Sequence, residues 1–395
     1  MKHIKIIPSK SDAHRALICA ALSHTPCKVI CDATSKDIDA TKACLDALKA
    51  GRPEMLCGES GSTFRFMLPV MAALGHRSVF FPEGRLPERP LTPLYEEMES
   101  HGCRLSPQGS VPFVLEGQLK PGTYRIPGNV SSQYISGLLF ALPILDGDSR
   151  ILIEGKLESA GYVNMTLKVL ADFGIKVNVT DEGYEIPGGQ HYQGPAVYQV
   201  EGDWSNGCFW LVAGALDEEG LTVSGLDLNS LQGDKKIVDI LRDMGADVTI
   251  GPNGITVKGG SLHGITIDAA QIPDMVPILA VAALAAEGRT EIKGAGRLRI
   301  KESDRLATVT QVLTNLGGDI EELAEGLIIK GGKVLKGGTA DSHNDHRIAM
   351  MAAIASIICE GKVTIRGADA VKKSYPGFYD DLAMLGLDIN IETDA

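Results

Sequence analysis

A chain of 395 residues, 44% apolar and 22% charged, is long enough for two hydrophobic cores and has the composition of an ordinary globular protein. Its formal net charge of −12 excludes a general nucleic-acid binder, which needs a cationic footprint, and makes local clusters of Lys and Arg conspicuous. The N-terminus MKHIKIIPSK lacks the long apolar stretch of a signal peptide, and the apolar runs elsewhere are too short and interrupted to span a bilayer. A cytoplasmic protein without membrane or nucleic-acid partners is expected. Eight cysteines without a CxxC frame read as reduced, mostly buried thiols. Cys27 and Cys31 are followed by no second ligand pair, so they do not read as a metal site.

In chain order, the first predicted helix follows Pro8-Ser9-Lys10-Ser11-Asp12-Ala13-His14-Arg15, with Ser11 or Asp12 as the expected N-cap. Lys10 and Arg15 thereby flank a helix N-terminus, whose free N–H groups and partial positive charge suit an anion. Arg15 opens the apolar run RALICAAL. A second run, RFMLPVMAAL, opens at Arg65 after Glu59-Ser60-Gly61-Ser62, where Gly61 lets backbone approach a ligand closely. Arg89, between Glu88 and Pro90, is held extended by the proline. The third run, YISGLLFALPIL, follows Ser131-Ser132-Gln133; hydroxyls at a helix entrance suit phosphate, although N-capping accounts for one serine.

The fourth and fifth runs begin at Asn206 and Asp274. Asp274, after Ile272-Pro273, reads either as an N-cap or as a base poised beside cations. Lys301-Glu302-Ser303-Asp304-Arg305 stands before an amphipathic helix, and Asn344-Asp345-His346-Arg347 before the sixth run, RIAMMAAIASII. A guanidinium at that position is shaped for bidentate carboxylate binding. His343 and His346 have no third ligand nearby, which speaks against metal. Lys372-Lys373-Ser374-Tyr375-Pro376 closes the series.

The runs recur about every 70 residues, with a shorter first interval, so one structural unit has been copied. An amphipathic helix follows each run and, from the second unit on, stops at Gly102, Gly174, Gly245, Gly317 or Gly386. A hairpin pattern comes next, clearest in ADVTIGPNGITVKGG around Pro252-Asn253-Gly254. The predicted unit is strand, buried helix, strand, amphipathic helix and two strands, six times, three units per domain. A linear solenoid is the competing arrangement, but helices apolar all round want enclosure rather than one-sided stacking.

The segments SKSxxxR, GSTxR, ERP, VSSQ, SxxYVxMT, VEGDWS, LQGD, IPD, IKESDR, NDHR and KKSYP occur here in the order found in the 5-enolpyruvylshikimate-3-phosphate synthase family, which the chain resembles from about Pro8 to Pro376. The resemblance implies an α/β (α+β) fold: a two-domain inside-out α/β barrel of six βαβαββ repeats, with buried helices in each domain and the active site in the cleft between them. Residues 8–200 would form the shikimate 3-phosphate domain. Residues 1–7 and 201–395 would form the other, with two crossover strands as the hinge.

The implied reaction transfers the enolpyruvyl group of phosphoenolpyruvate to the 5-hydroxyl of shikimate 3-phosphate, with no metal or organic cofactor, by a monomer. By motif, Ser131, Ser132, Gln133 and Ser159 would hold the shikimate phosphate, with Tyr162 close by; Ser11 and Arg15 would bind the ring and carboxylate. Lys10, Gly61, Arg89 and Lys373 would surround the phosphoenolpyruvate phosphate, Gln133 and His346 would add contacts to that substrate, and Arg305 and Arg347 would clamp its carboxylate. Asp274 would accept the 5-hydroxyl proton, Lys301 would stabilise that oxygen and Glu302 would protonate the methylene carbon. Lys10 would also take part in catalysis.

Three departures from the family pattern stand out: Pro8 and Ser9 adjoin without the usual glycine, Glu59-Ser60-Gly61-Ser62 replaces an Asn-Ala-Gly-Thr type sequence, and Arg297 replaces a polar amide. Glu59 is expected to point out of the cleft. Two alternatives compete with the reaction: a UDP-N-acetylglucosamine enolpyruvyl transferase, whose usual cysteine is missing from Gly84-Arg85-Leu86-Pro87-Glu88, and a non-catalytic phosphometabolite-binding paralogue, which would not need Asp274, Lys301, Glu302, Arg305 and Arg347 together.

Overall fold

The structure, a computed structural model, describes residues 2–384, 386 and the backbone of Asn390–Ile391. Met1, Leu385, 387–389 and 392–395 lie outside the described residues, so the last predicted strand segment is described only at its two-residue core. The chain forms two compact units, Lys10–Val200, and Met1–Ser9 with Glu201–Ala395.

The chain opens with β1 (Lys2–Lys5). In the unit Lys10–Val200 the elements are α1 (Lys10–Leu22), β2 (Lys28–Ile30), α2 (Lys36–Lys49), β3 (Glu54–Gly58), α3 (Gly61–Ala73), β4 (Ser78–Pro82), α4 (Leu94–Ser100), β5 (Cys103–Leu105) and β6 (Phe113–Gly117). They continue with β7 (Thr123–Pro127), α5 (Ser132–Ala141), β8 (Ser149–Glu154), α6 (Ala160–Asp172), β9 (Asn178–Thr180), β10 (Gly183–Ile186) and β11 (Val197–Gln199). The other unit holds α7 (Trp204–Ala215), β12 (Leu221–Ser224), α8 (Ile237–Asp243), β13 (Asp247–Gly251), β14 (Gly254–Lys258), β15 (Thr266–Asp268), α9 (Val276–Ala285) and β16 (Gly288–Lys293). It ends with α10 (Arg305–Asn315), β17 (Asp319–Leu323), β18 (Gly326–Gly331), β19 (Gly338–Asp341), α11 (His346–Ala355), β20 (Val363–Arg366), α12 (Phe378–Ala383) and β21 (Asn390–Ile391).

The copied unit is visible in the strand orders β3-β4-β6-β5, β7-β8-β10-β9, β1-β12-β14-β13 and β15-β16-β18-β17. In each sheet the first two strands are parallel, joined by a βαβ crossover in all but the pair β1-β12, and the last two form an antiparallel hairpin. The hairpin read from the Pro-Asn-Gly turn has the expected register, with Gly251 opposite Gly254. Gly102, Gly174, Gly245, Gly317 and Gly386 all take positive φ, the conformation that ends a helix without a Cβ clash. The two remaining sheets, β11-β2 and β19-β20-β21, are shorter.

Two short strands are exchanged between copies. β11 precedes α7 in sequence yet pairs with β2, Tyr198 facing Val29; β1 precedes α1 yet pairs with β12, Ile4 facing Val223. The chain therefore passes from one unit to the other twice, at 9–10 and at 200–201. Pro8, which adjoins Ser9 directly, forms a bridge with Gly202, and the Ser9 N–H donates to the Glu201 carbonyl at 2.7 Å.

Each unit has its own core. Helices α7 and α11 are buried at every residue, α9 at all but the last, α3 at all but Ser62 and α5 at all but Gln133. Burying one Leu or Ile fully contributes about 1.5–3 kcal/mol, so such helices are stable only when surrounded. The sixth helix corrects the expectation of six enclosed ones: α1 leaves Leu17, Ala20, Ala21 and Leu22 only half-buried. Its copy lacks a hairpin, since α2 leads directly into β3 and β2 pairs only with β11. No described helix is long and apolar enough to cross a membrane.

Candidate active site

In the unit Lys10–Val200, α1 starts two or three residues earlier than the capping rules suggested. Lys10 is already helical, so Ser11 and Asp12 lie within the first turn rather than at the N-cap; the Asp12 carboxylate instead accepts the Tyr198 hydroxyl at 2.8 Å. Lys10 Nζ donates to Asp37 Oδ2 at 2.8 Å. Arg15, only 3% exposed, donates from Nε to Thr166 Oγ1 (2.8 Å), from Nη1 to the Ser11 carbonyl (2.5 Å) and from Nη2 to the Tyr162 carbonyl (2.9 Å). Its guanidinium also stands over the Phe66 ring. Burial lowers its pKa to about 10 against the pull of Asp12, which leaves it protonated at neutral pH.

These bonds tie the start of α1 to the start of α6, where the Tyr162 N–H donates to the Ser159 carbonyl at 3.1 Å. Ser159 is buried and left-handed, with φ 52°. A non-glycine residue there is strained and is held only by its surroundings, a frequent property of ligand-binding loops. Ser11, Arg15, Ser159 and Tyr162 are thus linked by a continuous set of contacts.

A second set gathers at the starts of α3 and α5. Ser131 caps α5 by accepting the Gln133 N–H. The two half-exposed exceptions in otherwise buried helices meet: Gln133 Nε2 donates to Ser62 Oγ at 2.9 Å. Gln133 Oε1 accepts from Arg65 Nη1 at 2.9 Å, and Arg65 Nη2 donates to the Pro90 carbonyl at 3.0 Å. Arg89 is extended as expected, with ψ 133°. A Cβ added at Gly61 would lie 2.8 Å from Arg89 Nη1 and 2.9 Å from Arg65 Nη1, so two guanidinium groups pack on the bare face of that glycine. Arg65 had been read only as the opening of an apolar run. Its signal was a cation inside a helix with no solvent-facing side, where burial must be matched by partners.

Glu59 lies beside Gly84. Its Oε2 lies 2.6 Å from where a Cβ of Gly84 would be, which keeps its carboxylate against the Gly84 backbone.

The other unit concentrates ion pairs. Asp274 is not the N-cap of α9: it sits in a 3-10 turn, Pro273–Met275, and α9 begins at Val276. Its Oδ1 lies 2.9 Å from Arg305 Nη1 and 3.5 Å from Lys301 Nζ, and its Oδ2 lies 3.5 Å from Arg347 Nη2. Burial alone would raise its pKa, but Lys301, Arg347 and Arg305 outweigh that and hold it well below the usual carboxylate range. Burial lowers Lys301, with Asp274 opposing. Arg305, the first residue of α10 after the Asp304 cap, also binds Glu302 Oε2 (2.8 Å) and Asp345 Oδ2 (2.8 Å). Burial opposes its charge, yet Asp345, Glu302 and Asp274 raise its pKa further.

Around this group, Arg347 Nη1 donates to the Ser205 carbonyl (3.4 Å) and Lys373 Nζ to the Asn344 carbonyl (2.6 Å). His346 is buried at the start of α11, its Nδ1 3.8 Å from Asp345 Oδ1. His343 and Asn344 are left-handed, with φ 50° and 54°, so this loop also carries strain. Arg297 turns to the backbone, donating to the Ala270 carbonyl at 3.0 Å. The sequence missed the role of Asp234 in LQGD: it is buried, accepts the Ser205 hydroxyl, and is raised to about 6 by burial and by Asp274. Among the described residues no group of three or more His, Cys, Asp or Glu is placed to hold a metal ion.

Copied βαβαββ units with charged residues at the starts of enclosed helices define the enolpyruvyl-transferase architecture. Among solved structures, the chain matches an EPSP synthase from Acinetobacter baumannii with TM-score 0.79 and 26% identity, over 96% of this chain and 94% of that one. It shares its fold with the enolpyruvyl transferase NikO from Streptomyces tendae, TM-score 0.76 and 19% identity, over 98% and 95% of the two chains. The family model described as EPSP synthase (3-phosphoshikimate 1-carboxyvinyltransferase) matches residues 1–55 and 50–382. The 3-phosphoshikimate 1-carboxyvinyltransferases of Clostridium kluyveri and Clostridium acetobutylicum are each 44% identical to it, over 98% of this chain and 95% of theirs. The chain belongs to the EPSP synthase family.

Proposed function

We propose that this enzyme joins phosphoenolpyruvate and shikimate 3-phosphate to give 5-enolpyruvylshikimate 3-phosphate and phosphate. The observation that carries the reading is the gathering of Asp274, Lys301, Glu302 and Arg347 around the buried Arg305 in one ion-pair cluster. Each substrate carries a phosphate and a carboxylate, which accounts for the number of cationic and hydroxyl groups at helix starts.

The unit Lys10–Val200 is assigned to shikimate 3-phosphate. Ser131, Ser132, Gln133 and Ser159 bind its phosphate beside Tyr162, and Ser11 and Arg15 bind its ring and carboxylate. Lys10, Gly61, Arg89 and Gln133, with His346 and Lys373 of the other unit, receive phosphoenolpyruvate, and Arg305 and Arg347 take its carboxylate. Asp274 is held ionised, so it is ready to accept the proton of the 5-hydroxyl as that oxygen bonds to C2 of phosphoenolpyruvate; Lys301 stabilises the developing charge on the oxygen. Glu302 delivers a proton to C3, which completes a tetrahedral ketal. Cleavage of the C2–O bond to phosphate, with return of a proton from C3 to Glu302 and passage of the Asp274 proton to the leaving phosphate, restores the double bond and releases phosphate. The chain is taken to act as a cytoplasmic monomer.

The test is phosphate release by the purified protein given phosphoenolpyruvate with shikimate 3-phosphate, and separately with UDP-N-acetylglucosamine. Turnover is expected only with the first acceptor. Release with UDP-N-acetylglucosamine alone, or with neither, overturns the assignment.

A further inference from the structure

Asp345 has no assigned part in the reaction, yet it is among the most constrained side chains in its unit. It is 0% exposed. Oδ1 accepts the Arg347 backbone N–H at 2.9 Å, capping α11, and Arg305 Nη2 at 3.1 Å. Oδ2 accepts Arg305 Nε at 2.8 Å and Ser303 Oγ at 3.0 Å. A carboxylate removed from water is tolerable only when its lone pairs are taken up, and here four donors take them.

The consequence falls on Arg305. A guanidinium is a rigid plane with five N–H groups, so fixing one edge fixes the direction of the other. Asp345 holds the Nε/Nη2 edge. The opposite side is held by Glu302 on Nη2 and Asp274 on Nη1. Those two carboxylates sit where an incoming carboxylate would bind, and they are the two groups given proton-transfer roles.

We infer that Asp345 is a positioning residue: it locks the inner edge of Arg305, and through the α11 cap the start of Arg347, so that the outer edge of Arg305 can pass from Glu302 and Asp274 to the carboxylate of phosphoenolpyruvate. The inference rests on the proposal that Arg305 receives that carboxylate. Asparagine cannot replace Asp345, because its NH2 group would face Arg305 Nη2 and the Arg347 N–H or, flipped, Arg305 Nε, donor against donor. Glutamate adds a methylene at a side chain that is 0% exposed and bonded through both oxygens, which displaces the carboxylate from those donors.

The experiment is steady-state kinetics with each substrate varied separately, beside thermal melting. Asp345→Asn should raise KM for phosphoenolpyruvate about ten- to a hundredfold while KM for shikimate 3-phosphate moves less than about threefold. Asp345→Glu should not rescue it. A purely structural role would shift both KM values together. Arg305→Lys separates the two ideas: if it leaves KM for phosphoenolpyruvate unchanged, the carboxylate assignment falls. If it raises that KM and Asp345→Asn does not, the positioning role alone falls. Should Asp345→Asn fail to fold, the parent protein labelled with 15N-arginine still decides. The Arg305 Nε–H signal, identified by its loss in Arg305→Lys, should stay slowly exchanging and unshifted when phosphoenolpyruvate saturates. Rapid exchange, or a shift on saturation, overturns the inference.

Discussion

Arg15 and Arg305 are both almost completely buried at the starts of helices, but their partners differ in kind. Arg15 is bonded to a hydroxyl and two carbonyls, all neutral; Arg305 is bonded to three carboxylates. Burial therefore lowers the pKa of the first, whereas the carboxylates overcome burial and raise that of the second. Neutral partners orient a cation without cancelling its field, which is what an anion-binding surface needs. Carboxylate partners cancel the field but supply groups that can move protons. On the proposed assignment, the first arrangement serves holding and the second serves chemistry.

The largest expected effects test the chemical side. Asp274→Asn and Glu302→Gln should each lower kcat by about 10²–10⁴-fold with KM values within a few-fold, measured as phosphate release. Near-normal turnover in both variants would remove the mechanism. On the holding side, Arg15→Lys keeps the charge but cannot reach Thr166, Ser11 and Tyr162 together. KM for shikimate 3-phosphate should rise about ten- to a hundredfold, with a smaller change in kcat. A variant with normal KM and collapsed kcat would show that Arg15 belongs with the chemistry, and the contrast would fail.

Much of this arrangement is legible in the residues because it depends on local rules. The helix stops at Gly102, Gly174, Gly245 and Gly317 need positive φ, and the turn at Pro252-Asn253-Gly254 fixes its hairpin register. The exchange of β1 and β11 is not legible in pattern: strands of four and three residues choose partners far away in sequence, and only the family resemblance pointed to crossings. The site divides the same way. Motif spacing located Asp274, Lys301, Glu302, Arg305 and Arg347, but it could not reveal that Asp345 serves Arg305 or that Asp37 serves Lys10. Asp12 was misassigned as a cap because capping preference considers the nearest helix end and not Tyr198, which claims the carboxylate from a distant strand.

The smallest effects should come from two buried groups that take no part in the reaction, each shifted first by its burial and then by its charged neighbours. His14, in the holding unit, is pushed well below its ordinary value by burial and then by Lys10 and Arg15. Its folded form excludes a proton that the unfolded chain binds, so stability is lost as pH falls below about 6.5. Asp234, in the chemical unit, is raised to about 6 by burial and then by Asp274, with Arg347 and the Ser205 hydroxyl opposing and Asp203 adding to the rise. Its folded form holds a proton more tightly than the unfolded chain does, so stability falls as pH rises through the carboxylate range to about 6 and is flat above. Asp234→Asn can still accept the Ser205 hydroxyl and removes the titration. It should stabilise the protein by about 1–2 kcal/mol at pH 8, and by much less at pH 4. His14→Gln should lessen the loss of stability between pH 7 and pH 5. Melting temperatures of both variants across pH 4–8 check this: a curve parallel to the parent would mean that the group replaced is not shifted by its burial.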